Sequence, residues 1–77
     1  MNLQVIDRLT AGAAVLACGP ETARRYGQAK AKLRAAGTPI PENDIWIAAL
    51  ALEHELTLVT RDAHFAVVAG LTSVPWR

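Results

Sequence analysis

In the N-terminal part of the chain, apolar residues first recur at helical spacing and then form one continuous run. Leu3, Ile6 and Leu9 recur every third residue ahead of the TAG break, and this spacing predicts a short N-terminal helix. The apolar run AAVLAC that comes next is short and uninterrupted, which is typical of a buried strand. The chain is therefore expected to begin with a helix and then a strand.

Two longer helices are predicted in the centre of the chain. Pro20 suits the first turn of a helix, which is expected to reach about Ala36. The two prolines of GTPIP then fix an extended loop, so that the next helix begins between Glu42 and Asp44. From Ile45 onward, apolar residues cover most sides of this second helix, and such a helix packs against a sheet.

The C-terminal part alternates short strands with one short helix. LTLVT is rich in β-branched and aliphatic residues and predicts an interior strand. HFAVVAGL predicts a short helix that closes at Gly70, and TSVPW predicts a last strand at a sheet edge, because Pro75 has no N–H to donate. Strands that alternate with helices predict an α/β fold, with an open parallel sheet flanked by helices.

Composition indicates a small globular domain. The 77 residues are 52% hydrophobic and carry a formal charge of +1, which argues against disorder and gives no strong global field. Five of the eight basic residues nevertheless lie on the first long helix, outside its apolar stripe. That arrangement fits either a solvated surface or a docking face for RNA or an acidic partner.

A cytoplasmic location is expected from cysteine usage and hydropathy. The single Cys18 lies in an apolar run, which predicts a buried thiol in a reducing compartment. The longest apolar run, residues 45–52, is far shorter than the roughly 20 residues that a membrane helix needs. The N-terminus contains an acidic residue and no long apolar core, so neither a secretory signal nor a membrane partner is expected.

Asp44 and Asp62 are expected to converge at one end of the molecule. The helix of residues 43–54 advances roughly 18 Å, and the strand of residues 56–62 returns roughly 23 Å. The connection between them is too short to do anything but reverse direction. The two carboxylates are therefore expected within about 8 Å of each other, at the edge where open α/β sheets hold ligands.

Two neighbouring carboxylates are a natural site for a hard divalent ion. They repel each other unless a cation neutralises them, and Mg²⁺ prefers oxygen ligands. An alternative stays open, in which Asn43 or Asp44 is an ordinary helix cap and Asp62 an ordinary residue after a strand. His54 and His64 are not assigned to the site.

The segments PENDIWIAALALEH and LTLVTRDAHF carry a family resemblance. Residues 14–76 resemble the C-terminal half of PIN-domain ribonucleases of the VapC toxin type. The resemblance implies a metal-dependent endoribonuclease that binds Mg²⁺ or Mn²⁺ and cuts RNA. It assigns Asp44 and Asp62 to the acidic site, as catalytic and metal-binding residues, with Asn43 and Thr60 in supporting positions.

The chain also departs from the family pattern. Such domains begin with a strand that ends in an aspartate, and a later helix carries a glutamate. Neither element is recognised here, so Asp7 and Glu21 are not assigned to the site. Glu55 also stands where the family usually has a glycine that takes the left-handed helix cap.

These departures predict a single partial PIN-like domain, residues 1–77, with a sheet reduced to about three strands. Uncovered strand edges and apolar faces would favour association of two copies through the N-terminal helix, and the dimer would bring two aspartate pairs together. The expected function is that of a toxin ribonuclease, incomplete as a lone chain. The alternative is a catalytically inactive module that binds an antitoxin-like peptide or a complementary chain.

Overall fold

The structure is a computed structural model that describes residues 5–7 and 18–75. Its elements run along the chain in a β-α-α-β-β order, with one 3₁₀ helix before the last strand. The bounds are β1 (Val5–Asp7), α1 (Pro20–Ala35), α2 (Glu42–His54), β2 (Thr57–Val59), the 3₁₀ helix (Ala63–Val67) and β3 (Ser73–Val74). The predicted long helices, the prolyl loop and the last two strands are confirmed.

The three strands form one parallel sheet in the order β1-β2-β3. Ile6 lies beside Leu58, and Val59 lies beside Val74. β2 is therefore interior, as predicted, and β3 lies at an edge of the described sheet. The fold is α/β with a short parallel sheet, as the alternation of elements predicted.

The N-terminal helix predicted from Leu3, Ile6 and Leu9 is wrong over the residues that the structure describes. Val5–Asp7 is a strand because it pairs along its length with β2, and that pairing is a tertiary contact that local spacing does not encode. The strand predicted at AAVLAC lies in a part of the chain outside the described residues, apart from Cys18.

Helices α1 and α2 pack along their lengths. Ala29 and Leu33 of α1 are buried in this contact, as their spacing predicted. Thr22 is also buried, because its hydroxyl donates to the Glu53 carboxylate of α2 and accepts the Gly19 N–H. At the other end of the interface, stacked rings join Tyr26 to Trp46 with 4.0 Å between centroids. Polar and aromatic contacts thus fix the register of the two helices.

The basic residues of α1 are partly neutralised by neighbouring acids. Glu21 accepts hydrogen bonds from Arg24 at 2.6 Å and from Arg25 at 3.0 Å. These bonds, Arg24 first, lower the pKa of Glu21 to about 2. Lys30 forms an ion pair with Glu42 at 3.2 Å. Three of the five cations of this helix are therefore engaged in exposed ion pairs, which favours the solvated-surface interpretation over a docking face.

The core lies between the sheet and α2. Ile47, Leu58 and Phe65 are essentially inaccessible to solvent, and they come from α2, β2 and the 3₁₀ helix. Cys18 is a free thiol that packs against this core and is half-buried, so the predicted burial holds in part. In the part of the chain that the structure describes, no helix is long and apolar enough to cross a membrane.

The turn from α2 into β2 contains a strained residue. Glu55 has φ 54° and ψ 45°, the left-handed conformation that side chains with a Cβ adopt at a cost. The next residue, Leu56, donates its N–H to the Ala51 carbonyl at 2.8 Å and closes the helix end. The family-based expectation of a left-handed cap at this position is therefore confirmed.

Replacing Glu55 by glycine is expected to stabilise the fold. The change relieves about 1–2 kcal/mol of left-handed strain, and about 0.5–1 kcal/mol is offset by the greater freedom of glycine in the unfolded chain. The midpoint of urea denaturation should therefore rise, by a net gain of about 0.5–1 kcal/mol. Glu55→Ala is the matched control, because it removes the carboxylate but keeps the Cβ. An equal gain in both variants would show that charge, and not backbone strain, is responsible.

Candidate metal centre

Asp44 is a buried carboxylate in the first turn of α2. The residue is only 1% exposed, although Glu42 and Asn43 immediately before it are exposed. The helix begins at Glu42, and the Asp44 N–H bonds to the Pro41 carbonyl at 3.0 Å. The partial positive charge of a helix N-terminus favours a negative side chain in this turn. The fold therefore holds one carboxylate rigidly at the end of its central helix.

Asp62 is fixed by the turn after β2. Its backbone N–H donates to the Thr60 hydroxyl at 3.0 Å, and its carboxylate accepts the His64 N–H at 3.0 Å. The second bond caps the 3₁₀ helix. Thr60 is itself buried, so the hydroxyl that holds the turn has a defined position. The short motif TRDAH thus places the Asp62 carboxylate at the carboxyl end of β2.

The side chains of Asp44, Asp62 and His64 meet at this end of the sheet. One ligand atom from each lies within 4.8 Å of those of the other two. His64 Nδ1 is 3.2 Å from Asp44 Oδ2 and 3.0 Å from Asp62 Oδ1. The convergence of the two aspartates, predicted from helix and strand length, is confirmed. Their role as metal ligands stays a prediction.

The donor set fits a divalent ion. Metal–oxygen distances of about 2.1 Å allow two ligands of one ion to lie up to about 4.2 Å apart, so a spread of at most 4.8 Å needs only small side-chain rotations. Exposure rises from 1% for the Asp44 side chain through 22% for Asp62 to 50% for His64. The cluster therefore has one buried wall and one side open to water, which suits an ion that keeps several waters.

Two of the sequence-based assignments change at this site. Asn43 was expected to cap α2 or to orient a ligand, but Pro41 holds the cap position and Asn43 is an exposed residue of the first turn. The capping role is therefore wrong.

His64 was not assigned to the site, yet it contacts both aspartates. The available signal was the D-A-H spacing at the start of the 3₁₀ helix, which brings His64 Nδ1 to 3.0 Å from Asp62 Oδ1.

Asp7 was also left out of the site, because no N-terminal strand that ends in an aspartate was recognised. The expectation that this strand is missing is wrong for the described structure, in which Asp7 is the last residue of β1. It lies beside Val59 in a parallel pair, one residue before Thr60. The carboxyl ends of β1 and β2 are therefore adjacent, and Asp7 belongs to the same edge of the sheet as the cluster.

Comparison with known proteins agrees with this geometry. The sequence model of the PIN domain matches residues 2–71, which is nearly the whole chain. The chain belongs to the PIN domain family. The match includes β1, both helices, β2 and the whole of the cluster at the sheet edge, so the PIN-like fold class is confirmed along with the family.

Relatives of this PIN domain include VapC proteins. Ribonuclease VapC5 of Mycobacterium tuberculosis is 35% identical over 54 residues, which are 70% of this chain and 40% of that protein. The crystal structure of VapBC2 from Rickettsia felis, bound to a promoter DNA fragment, superposes with a TM-score of 0.71 at 28% identity. That match covers 77% of this chain and 45% of the other. The chain thus spans less than half the length of the relatives it matches.

Proposed function

We propose that this PIN domain supplies the Asp44 and Asp62 part of a divalent-metal ribonuclease centre of the VapC type, as in the toxin of a toxin–antitoxin module. The observation that carries the proposal is the cluster of Asp44, Asp62 and His64 ligand atoms within 4.8 Å at the carboxyl end of the sheet. The similarity to a ribonuclease, VapC5, supports RNA as the substrate class. Mg²⁺ or Mn²⁺ is the proposed ion, since both accept carboxylate oxygen ligands.

The chain's own residues would bind and orient the ion. Asp44 offers an oxygen held by a buried helix turn, and Asp62 offers one held by the hydroxyl of Thr60. Asp7, at the end of β1, stands at the same edge as a further candidate acid. A bound divalent ion would neutralise the RNA phosphate and lower the cost of generating a hydroxide nucleophile. Burial on one side keeps the Asp44 ligand in one position before the ion arrives.

The two aspartates are expected to be necessary for ion binding. Asp44→Asn combined with Asp62→Asn removes both anionic ligands and should abolish Mn²⁺ binding measured by calorimetric titration. The fold should remain intact or become slightly more stable, because a repulsion between like charges is removed. Glu42→Gln is the matched control, since it removes an exposed acid from the same helix turn and should leave Mn²⁺ affinity unchanged.

Unchanged Mn²⁺ binding in the double variant would show that both acids are structural and would contradict the proposal. Asp7→Asn in the same titration tests whether the acid of β1 also contributes. An RNA cleavage assay then addresses catalysis directly. Cleavage that requires the ion and is lost in the double variant supports an enzyme, whereas ion binding without cleavage indicates that the centre needs further acids from another chain.

A second function, an interaction module without catalysis, is favoured by a groove far from the cluster. The groove has a volume of about 960 Å³ and is lined by both basic and acidic side chains, among them Arg25, Lys32 and Glu53. It lies at the C-terminal end of α2, where Glu53 is roughly 13 Å along the helix from Asp44. An antitoxin-like peptide or a complementary chain is the proposed occupant. Retained peptide binding in the double aspartate variant would separate this function from the nuclease centre.

Association of two copies is part of the proposal. The described sheet has β1 and β3 at its edges, and Val67 and Val74 are the large hydrophobic residues exposed among the side chains described. Because these exposed valines are few, the two edge strands of the described sheet are the stronger argument. Light scattering at micromolar concentration should give a mass near twice 8.2 kDa. A monomeric mass with a cooperative melt would contradict association.

A further inference from the structure

We infer that His64 supplies a nitrogen ligand to the proposed centre and shifts its ion preference from Mg²⁺ toward borderline transition ions such as Co²⁺ and Zn²⁺. The inference rests on the proposed function, because it concerns the same cluster. It adds a ligand that oxygen-only binding of Mg²⁺ does not require. It also changes the class of cofactor that the site selects.

The position of the ring is the first reason. The same atom, Nδ1, lies 3.0 Å from Asp62 and 3.2 Å from Asp44. The imidazole edge is therefore directed between the two carboxylates and not past them. His54, the other histidine of the chain, lies at the C-terminal end of α2, where its Nε2 is 3.4 Å from Glu53. The two histidines thus have similar exposure, 50% and 55%, but entirely different surroundings.

The way in which His64 is held is the second reason. The Asp62 carboxylate accepts the backbone N–H of His64 at 3.0 Å, so the backbone of one ligand is tied to the side chain of another. The 3₁₀ helix that starts there is anchored by Phe65, which is completely buried. The imidazole therefore starts from a fixed backbone, and the entropy lost on binding an ion is smaller than for a residue in an open loop.

The chemistry of the ring is the third reason. Either ring nitrogen of a neutral imidazole can carry the proton, and Nδ1 of His64 lies within hydrogen-bonding distance of both carboxylates. With an ion bound, the Nδ1 lone pair would coordinate the metal and the proton would reside on Nε2, so that the imidazole would stay neutral. Imidazole nitrogen suits Co²⁺, Ni²⁺ and Zn²⁺ well, whereas Mg²⁺ strongly prefers oxygen. A centre of two carboxylates and one imidazole therefore favours the transition ions more than two carboxylates alone would.

The test compares Co²⁺ and Mg²⁺ affinities of the full chain by calorimetry. His64→Asn places an amide near the position of Nδ1 and removes the imidazole. We expect the Co²⁺ affinity of this variant to be about tenfold or more below that of the wild type, as is common when a partner in a metal site is removed. The Mg²⁺ affinity should stay within about threefold of the wild-type value. The ratio of the two affinities is the measured quantity. His54→Asn is the matched control, and the ratio should not change in that variant.

Nuclear magnetic resonance provides a readout that does not depend on the folding of a variant. In protein with ¹⁵N-labelled histidine, Zn²⁺ should move the Nδ1 resonance of His64 and leave that of His54 in place. An unchanged ratio in His64→Asn, or an unmoved His64 resonance while Zn²⁺ binds, would overturn this inference and leave the proposed function standing. Wild-type protein that binds none of these ions would overturn both.

Discussion

The reversal of the chain between α2 and β2 is the constraint on which the site depends. It is completed by Glu55 in the left-handed conformation and by the bond from the Leu56 N–H to the Ala51 carbonyl. The left-handed residue costs about 1–2 kcal/mol. Burial of Leu58 and Phe65 beyond the turn contributes about 1.5–3 kcal/mol for each side chain, so packing outweighs the strain. The turn is stable because the side chains beyond it are buried.

The same reversal determines where function can lie. The helix before it starts with a buried aspartate, and the strand after it ends in a turn that carries another. A tight connection leaves no alternative to placing these two ends together. The packing of α2 against β2 and the meeting of the two aspartates are therefore consequences of one local geometry.

Elements set by local periodicity could be predicted from the sequence, whereas those set by distant pairing could not. The bounds of α1 and α2 follow from proline, glycine and apolar spacing near each helix. β1 is different, because Val5–Asp7 is extended only through its pairing with β2. Burial of Thr22 was unpredictable for a similar reason, since it depends on a carboxylate from the neighbouring helix.

The residues of the candidate site likewise include some that could be predicted from the sequence and some that could not. The convergence of Asp44 and Asp62 could be predicted because helix rise, strand rise and a short turn fix their relative position. The position of His64 depends on the conformation of a single 3₁₀ turn. The position of Asp7 depends on the pairing of β1 with β2, which the spacing of apolar residues does not reveal. The sequence model of the PIN domain includes the cluster, and the chain spans 40–45% of the length of the VapC relatives it matches.

The central claim is that the convergence of Asp44 and Asp62 creates an ion site. Anomalous diffraction from crystals soaked in Mn²⁺ tests it most directly, because it locates the ion without reference to activity. The account predicts one strong peak about 2.1–2.2 Å from a carboxylate oxygen of each aspartate. A peak confined to surface acids such as Glu42, with none between Asp44 and Asp62, would contradict it.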